Sequence, residues 1–228
     1  MQNETYSVEI DKALVLKYLG YKDKTPPADI TDEVGECVDE SYKFIKSKIC
    51  FDRFQFKLKE GILLPDGSVI KGEYVVKNLK DADFIVMAVL TLGNDIDDKI
   101  SELFVRNDYM KAMIYDVIGN VALEYMGKRF WQDLAKEAKD SKAGITQSLS
   151  PGTGGWKDIK DQRIIFNNLG TSSIGVQLTD TFMMKPVKSL SMVYGIGKRV
   201  KTSLVDHDCA ECPLVDCPYR REATKCTN

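Results

Sequence analysis

The chain has 228 residues, of which 43% are hydrophobic and 29% charged, enough for one large globular domain with or without a small appendage. The formal net charge is −2, so the chain lacks the basic character that a nucleic-acid-binding domain usually needs. The longest apolar run, residues 84–92, is too short to span a bilayer, and the polar N-terminus has no signal segment. We therefore expect a cytoplasmic protein with neither a nucleic-acid nor a membrane partner.

The N-terminal segment predicts one strand followed by two helices. Residues 5–10 have the composition of a short strand, and Asp11 is a typical N-cap for a helix that follows. A second helical stripe of apolar residues begins at Thr31 and ends near Cys50. On this stripe Cys37 and Cys50 are predicted to be small buried hydrophobes, not reactive thiols.

The hydrophobic period then changes from helical to alternating. Residues 53–58 and 73–77 flank a Pro-Asp-Gly turn and predict a hairpin. Residues 84–92 predict a strand that is buried on both faces. Two helices are predicted after it, the second spanning 108–138 with a core-facing stripe that includes Met110 and Met113. Three acidic residues in the first turn of the earlier helix are interpreted as favouring its dipole: Asp95, Asp97 and Asp98.

The C-terminal half predicts a helix from Asp158 to Gly170 and strands at 174–178 and 189–197. Because most connections between strands are hairpin-like, the fold class is predicted as α+β with a curved antiparallel sheet, long helices and a small Cys-rich tail. The domain boundary is predicted at 204/205. One basic cluster is interpreted as a solvated face, with contact to an acidic partner protein as the alternative: Lys185, Lys188, Lys198, Arg199 and Lys201.

The loop "SLSPGTGGW", residues 148–156, contains one proline, three glycines and no charge. Glycine lets backbone N–H groups approach a ligand without interference from Cβ atoms, and a helix follows the loop. The loop lacks the Gly-Lys-Ser/Thr ending of a phosphate-binding P-loop. On its own, the pattern is also compatible with an ordinary connection between helices.

A wider set of motifs joins this loop to the strand that follows. "SPG" before "W", the helix "DQRIIFNNLG" and the block "LTDTFMMKPVKSLSMVYGI" resemble the activation domain of cobalamin-dependent methionine synthase, which binds S-adenosylmethionine. "YLGY" and "TLGNDID" are similar to stand-alone members of that family, and the resemblance covers roughly residues 5–200. It implies reductive methylation of protein-bound cobalamin with S-adenosylmethionine as methyl donor. The partner would then be a corrinoid-binding protein, or methionine synthase modules in trans.

The resemblance also implies a cofactor site formed by the loop, the long helix and the late strand. Its candidate residues are Ser148, Ser150, Pro151, Gly152, Thr153, Asn120, Tyr194 and Gly195. Ser148 stands where the family has Arg, Thr153 where it has Tyr, and Asn120 where it has Glu. Loss of a buried Arg–carboxylate contact costs about 2–5 kcal/mol, so these substitutions predict weakened binding of S-adenosylmethionine. A basic residue elsewhere, such as Lys128 or Arg129, is an alternative source of the cation.

The last twenty residues contain four cysteines with metal-site spacing: Cys209, Cys212, Cys217 and Cys226. Four thiolates suit tetrahedral zinc or an iron–sulfur cluster, and prolines after two of them favour the cluster. His207, the only histidine, is an alternative fourth ligand. Reduced free thiols in an exposed tail would give the same spacing.

Three functions therefore remain open from the sequence. The first is a methyltransferase-associated activator of protein-bound cobalamin, in which the cysteine centre supplies an electron. The second is a non-catalytic module that binds a corrinoid protein and has lost S-adenosylmethionine. The third is a structural protein whose tail is held by zinc.

Overall fold

The computed structural model describes residues 2–207. Its strands are β1 (Gln2–Glu4), β2 (Lys48–Phe54), β3 (Lys57–Leu58), β4 (Ile62–Leu63), β5 (Val69–Ile70), β6 (Phe84–Thr91), β7 (Gly144–Ile145), β8 (Gln177–Leu178), β9 (Met184–Lys185) and β10 (Ser189–Gly197). Its α-helices are α1 (Lys12–Leu16), α2 (Ala28–Ser41), α3 (Glu73–Leu79), α4 (Asn94–Val105), α5 (Tyr109–Asp140) and α6 (Gln162–Asn168). A π-helical turn, Lys17–Tyr21, extends α1. In this part of the chain no helix is both long enough and apolar enough to cross a membrane.

A five-stranded antiparallel sheet organises these elements, in the order β1-β2-β6-β10-β7. The central strand β6 pairs with β10 along its whole length, from Ser189 opposite Thr91 to Ile196 opposite Phe84. The predicted α+β class with an antiparallel sheet is therefore confirmed. The same pairing explains why β6 is a continuous apolar run, because it is central and covered on both sides.

Two hydrophobic clusters cover the two faces of the sheet. Alternate residues of β6 enter different clusters, with Val86 in the first and Ile85 in the second. Helices α2, α4 and α5 contribute to the first cluster, and α3, α6 and the small strands contribute to the second. Residues of a strand point alternately to opposite faces, so two cores need apolar side chains at every position of β6.

Helix α5 is the longest element, with 32 residues. At 1.5 Å per residue it is about 48 Å long. The Asp108 side chain caps its first turn by accepting a hydrogen bond from the Lys111 N–H. Two glycines bring α5 close to β10: a Cβ at Gly119 would lie 2.8 Å from the Lys188 side chain, and one at Gly127 would lie 3.4 Å from the Met192 sulfur. The helix therefore packs tightly beside the strand that follows the predicted loop.

Most predicted elements are present, including the Asp11 and Asp158 caps. The strand predicted at 5–10 is wrong, because β1 lies at Gln2–Glu4 instead. The second helix ends at Ser41, so Cys50 lies in β2 and not at a helix end. The chain reverses in the turn after Ser41 before the strand begins, which the apolar spacing alone does not reveal.

Residues 73–77 form helix α3, not a strand. Their β-branched valines favour a strand by propensity, but Val75 and Leu79 are four residues apart and both enter the second core cluster. Tertiary packing therefore decides the conformation of this segment. The core-facing stripe predicted on α5 is also wrong at its N-terminal end, where Met110 and Met113 are 51% and 55% exposed.

Candidate functional site

The predicted site residues meet at a cavity of about 500 Å³ between α5, the loop 148–156 and β10. Its lining comprises Tyr18, Asn120, Leu123, Glu124, Gly127, Ser148, Ser150, Thr153, Val187, Lys188, Ser189, Leu190, Met192, Tyr194, Asp206 and His207. Five of the eight candidate cofactor-site residues are in this lining: Asn120, Ser148, Ser150, Thr153 and Tyr194. The structure thus brings together candidate residues as distant in the sequence as Asn120 and Tyr194.

The other three candidate residues shape the surroundings and do not line the cavity. Gly152 has φ of 85° and donates its N–H to the Trp156 carbonyl at 2.7 Å, which closes the loop on itself. Pro151, just before it, is buried. Gly195 points to the opposite face of the sheet, where a Cβ would lie 3.0 Å from the Ala82 Cβ.

The loop is fixed to β10 by hydrogen bonds of its own. Leu149 and Val193 exchange both backbone N–H···O bonds, at 3.0 and 2.8 Å. The Ser150 hydroxyl donates to the Ser191 carbonyl, and the Thr153 hydroxyl donates to the Ser150 carbonyl, both at 2.7 Å. These two hydroxyl protons are thus used within the protein. A ligand would meet the hydroxyl oxygens as acceptors.

Tyr194 lies fully buried at the floor of the cavity. Its hydroxyl donates to the Met192 sulfur at 3.0 Å, and its ring packs edge to face against Phe130. Burial raises the pKa of Tyr194 far above its usual value, partly offset by a hydrogen bond with Ser148. The phenol is therefore protonated at neutral pH and acts as a fixed polar group beneath an apolar surface.

Lys188 is the cation of the cavity, and the sequence interpretation as a solvated residue is wrong for it. Its side chain is 6% exposed, and its Nζ donates to Asp116 Oδ1 at 2.7 Å and to Asn120 Oδ1 at 2.8 Å. Lys128 and Arg129, the alternatives from the sequence, are exposed on α5 and are not part of the lining. One available signal for Lys188 was its place directly before a buried strand, inside the motif block that begins at Leu178.

Glu124 supplies a carboxylate one helical turn after Asn120. The Tyr18 hydroxyl donates to Glu124 Oε2 at 2.7 Å, so the π-helical turn after α1 positions this acid. The resemblance aligned the family's glutamate with Asn120, which has no charge. Residues four apart lie on the same face of a helix, so a one-turn search from Asn120 would have found Glu124.

The C-terminal side of the cavity is formed by Asp206 and His207. The Ser148 N–H donates to the Asp206 carbonyl at 2.7 Å, and the Ser203 N–H donates to the Ile145 carbonyl at 2.9 Å. The chain on both sides of the predicted 204/205 boundary is thus bound to the segment that leads into the loop. The boundary itself stays a prediction.

The acidic residues of α4 combine helix stabilisation with a second contact. Asp95 and Asp97 lie in its first turn, as predicted for groups that favour the helix dipole. The Asp97 carboxylate also accepts hydrogen bonds from the Val187 and Lys188 N–H groups. Burial raises the pKa of Asp97 above its usual value, against the effect of these two bonds. Asp97 thereby fixes the backbone that presents Lys188.

The predicted metal ligands Cys209, Cys212, Cys217 and Cys226 lie outside the described residues. Within 2–207 no group of three or more metal-ligating side chains has the arrangement of a metal site. The two cysteines of this part of the chain, Cys37 and Cys50, are free and buried, as predicted. Burial raises the pKa of Cys37 to about 11, which makes it a poor nucleophile at neutral pH.

The cavity therefore offers both signs of charge around an apolar wall. Lys188 provides a buried ammonium, Glu124 and Asp206 provide carboxylates, and a separate set forms the apolar surface: Leu123, Leu190 and Met192. A cavity of this size and polarity suits a small molecule with an apolar body and a zwitterionic end.

Comparison with solved structures gives a match that covers most of the chain. The chain is similar to the crystal structure of the MetH reactivation domain bound to AdoHcy, with a TM-score of 0.64 over 91% of this chain and 81% of that chain. Sequence identity is 14%, so this similarity establishes the shared fold. No protein-family model and no curated protein matches the chain.

Proposed function

We propose that this protein binds S-adenosylmethionine in the cavity beside α5 and assists the reductive methylation of cobalamin carried by a separate protein. The observation that carries the proposal is the convergence of Asn120, Ser148, Ser150, Thr153 and Tyr194 on one cavity. Support for the ligand class comes from the shared fold, because the similar MetH domain was crystallised with AdoHcy, the demethylated product of that donor.

The charges of the cavity suit the two ends of this ligand. S-adenosylmethionine has a sulfonium cation, an α-ammonium group, a carboxylate and an apolar adenosyl body. Glu124 is held in place by the Tyr18 hydroxyl and brings negative charge to the wall of the cavity, which favours a cationic ligand. Met192 and Leu190 offer an apolar surface. The cavity volume of about 500 Å³ lies within the usual range for small-molecule sites.

The proposed reaction requires an electron as well as a methyl group. Cob(II)alamin accepts one electron to become cob(I)alamin, whose cobalt attacks the sulfonium methyl carbon. The carbon–sulfur bond breaks, and methylcobalamin and AdoHcy are the products. The protein's part is to hold the donor with its methyl group open to the corrin. The electron comes from an external one-electron donor. Cys209, Cys212, Cys217 and Cys226 would hold a centre that could supply redox chemistry.

The test is calorimetric titration of the full chain with S-adenosylmethionine and with AdoHcy. Micromolar binding of both ligands is expected. Glu124→Gln should weaken S-adenosylmethionine more than AdoHcy, by about tenfold, because only the former has the sulfonium charge. Glu36→Gln, an exposed glutamate on α2, is the matched control and should leave both affinities unchanged. No binding of either ligand at millimolar concentration would overturn the proposal.

A second candidate function is a non-catalytic module that binds a corrinoid protein. It is favoured by the loop itself, which has no cation and uses the Ser150 and Thr153 hydroxyl protons internally. This candidate predicts a complex with a cobalamin-loaded protein but no affinity for S-adenosylmethionine or AdoHcy. The same titrations, combined with a binding assay on a corrinoid protein, separate the two candidates.

A further inference from the structure

Lys188 is a buried cation whose charge is attracted by Asp116 and Asp97, but whose ammonium group has one N–H donor that its neighbours within residues 2–207 do not use. An ammonium group has three N–H donors. Two of them reach Asp116 Oδ1 and Asn120 Oδ1, and within residues 2–207 the Nζ has no third hydrogen-bond acceptor. The Asp116 side chain is 49% exposed, so water weakens its attraction for the ammonium. One donor of a side chain that is more than nine-tenths buried thus remains available beside the cavity.

The surrounding residues hold the ammonium in that position. The methylene stem of Lys188 crosses α5 at Gly119, where a Cβ would lie 2.8 Å from both Cδ and Cε. Its backbone N–H donates to Asp97 on α4, and its carbonyl accepts the Leu92 N–H at 2.9 Å. The stem and the backbone are therefore both fixed, which lowers the entropic cost of binding an anion there.

From this geometry we infer that Lys188 selects ligands that carry a carboxylate in the cavity. This role replaces the loop arginine that the sequence lacks at Ser148, and it moves the cation from the loop to the start of β10. The inference rests on the proposed function, since it assigns one end of the same ligand. It goes beyond that function because it names the group that decides which adenosyl thioethers bind.

The spacing of the charges fits a ligand of this kind. Lys188 is bonded to Asn120, and Glu124 follows one helical turn later on the same helix. One turn of α-helix rises about 5.4 Å, which is similar to the separation of carboxylate and sulfur in an extended amino-acid chain. The order of the Lys188 ammonium group and Glu124 along α5 therefore matches the order of carboxylate and sulfur in such a ligand.

The test compares AdoHcy with its decarboxylated analogue, which retains the thioether and the ammonium group. We expect the wild-type chain to bind AdoHcy at least 30-fold more tightly than the analogue. Lys188→Met keeps the apolar stem and removes the charge, so it should abolish most of this preference by weakening AdoHcy far more than the analogue. Lys185→Met, an exposed lysine three residues earlier, is the matched control and should keep the preference.

Gly119→Ala provides a second variant that leaves the lysine in the sequence. The new Cβ should displace the Lys188 stem and reduce the preference, while the gain in helix propensity of about 1 kcal/mol limits the loss of stability. Full preference in both Lys188→Met and Gly119→Ala would overturn the inference and leave the proposed function intact. Equal wild-type affinities for AdoHcy and the analogue would also overturn it. Failure of the wild type to bind either compound would overturn both.

Discussion

Single hydroxyl groups join the long helix α5 to the elements around it. The Tyr115 hydroxyl donates to the Glu40 carboxylate and so connects α5 to α2. Its ring is fully buried and packs edge to face against Phe44. The bond holds the pKa of Glu40 below its usual value of 4.5, while burial raises the pKa of Tyr115 far above its usual value. A bond of this kind makes part of the stability depend on pH.

Tyr115→Phe removes this hydrogen bond with little change in packing. A hydrogen bond to a charged group contributes about 1.5–3 kcal/mol when buried, and the exposure of Glu40 places this one at about 1 kcal/mol. Because the pKa of Glu40 is lowered on folding, its contribution is complete above pH 4.5 and is lost as the pH falls through the folded value. We expect the variant to be less stable at pH 7 and closer to wild type at pH 3, as measured by urea unfolding.

The matched control for this variant is Tyr109→Phe. The Tyr109 hydroxyl donates to Asn107, and its side chain is 55% exposed at the start of α5. This change should alter the free energy of unfolding by less than about 0.5 kcal/mol at either pH. A difference between Tyr115→Phe and wild type that stays constant from pH 7 to pH 3 would contradict the role given to Glu40.

At the scale of elements, the conformation of the loop 148–156 depends on backbone dihedral angles as much as on side-chain contacts. Gly152 combines a φ of 85° with a close approach, since a Cβ would lie 2.6 Å from Ile159 Cδ1. Gly175 has a similar φ of 80° but open space around its Cα. The two positions therefore separate the effect of backbone conformation from that of crowding.

Gly152→Ala and Gly175→Ala should differ in their cost. Both require a left-handed residue, which costs about 1–2 kcal/mol for alanine. Gly152→Ala must also displace the Cδ1 end of the Ile159 side chain, which adds about 1 kcal/mol because that end can move. Urea unfolding of the two variants measures the difference. Equal losses of stability would show that the contact with Ile159 is relieved without cost.

The sequence predicted elements where the local pattern and the fold agree. Strand β6, helix α5 and strand β10 have long apolar patterns, and Asp11 and Asp158 have capping chemistry that acts within a few residues. Helix α3 was missed because its valines favour a strand locally. It is the core on the second face of the sheet, formed by distant residues, that decides its conformation.

From the sequence, only those site residues could be predicted that lie within a recognisable motif. Ser148 and Tyr194 belong to segments quoted from the sequence, and both line the cavity. Lys188 was missed because its burial depends on Asp116, 72 positions earlier, and on a glycine of the same helix. Other basic residues, such as Lys185 and Lys198, stand near it in the sequence, so composition alone predicts a solvated lysine. The packing of α5 against β10 therefore creates the part of the site that contains Lys188.

At the scale of the whole molecule, the π-helical turn and the end of the described chain join α5, the loop 148–156 and β10 at the cavity. The π-helical turn contributes Tyr18, α5 contributes Glu124, and the end of the described chain contributes Asp206 and His207. The first predicted metal ligand, Cys209, stands two residues after His207 in the sequence. The proposed metal ligands are therefore close in sequence to residues that line the proposed ligand site.

This order predicts that metal binding and ligand binding can be separated. A chain ending at His207 keeps every cavity-lining residue of the described range 2–207, so its affinity for AdoHcy should stay within about threefold of the full chain. It lacks all four predicted thiolate ligands, so metal analysis after anaerobic purification should find iron or zinc only in the full chain.

The double variant Cys209→Ser/Cys212→Ser should lose the metal, as the truncated chain does. Metal retained by the truncated chain would contradict the assignment. Zinc without iron in the full chain would remove the cysteine centre as an electron carrier and leave the methyl donor site unaffected.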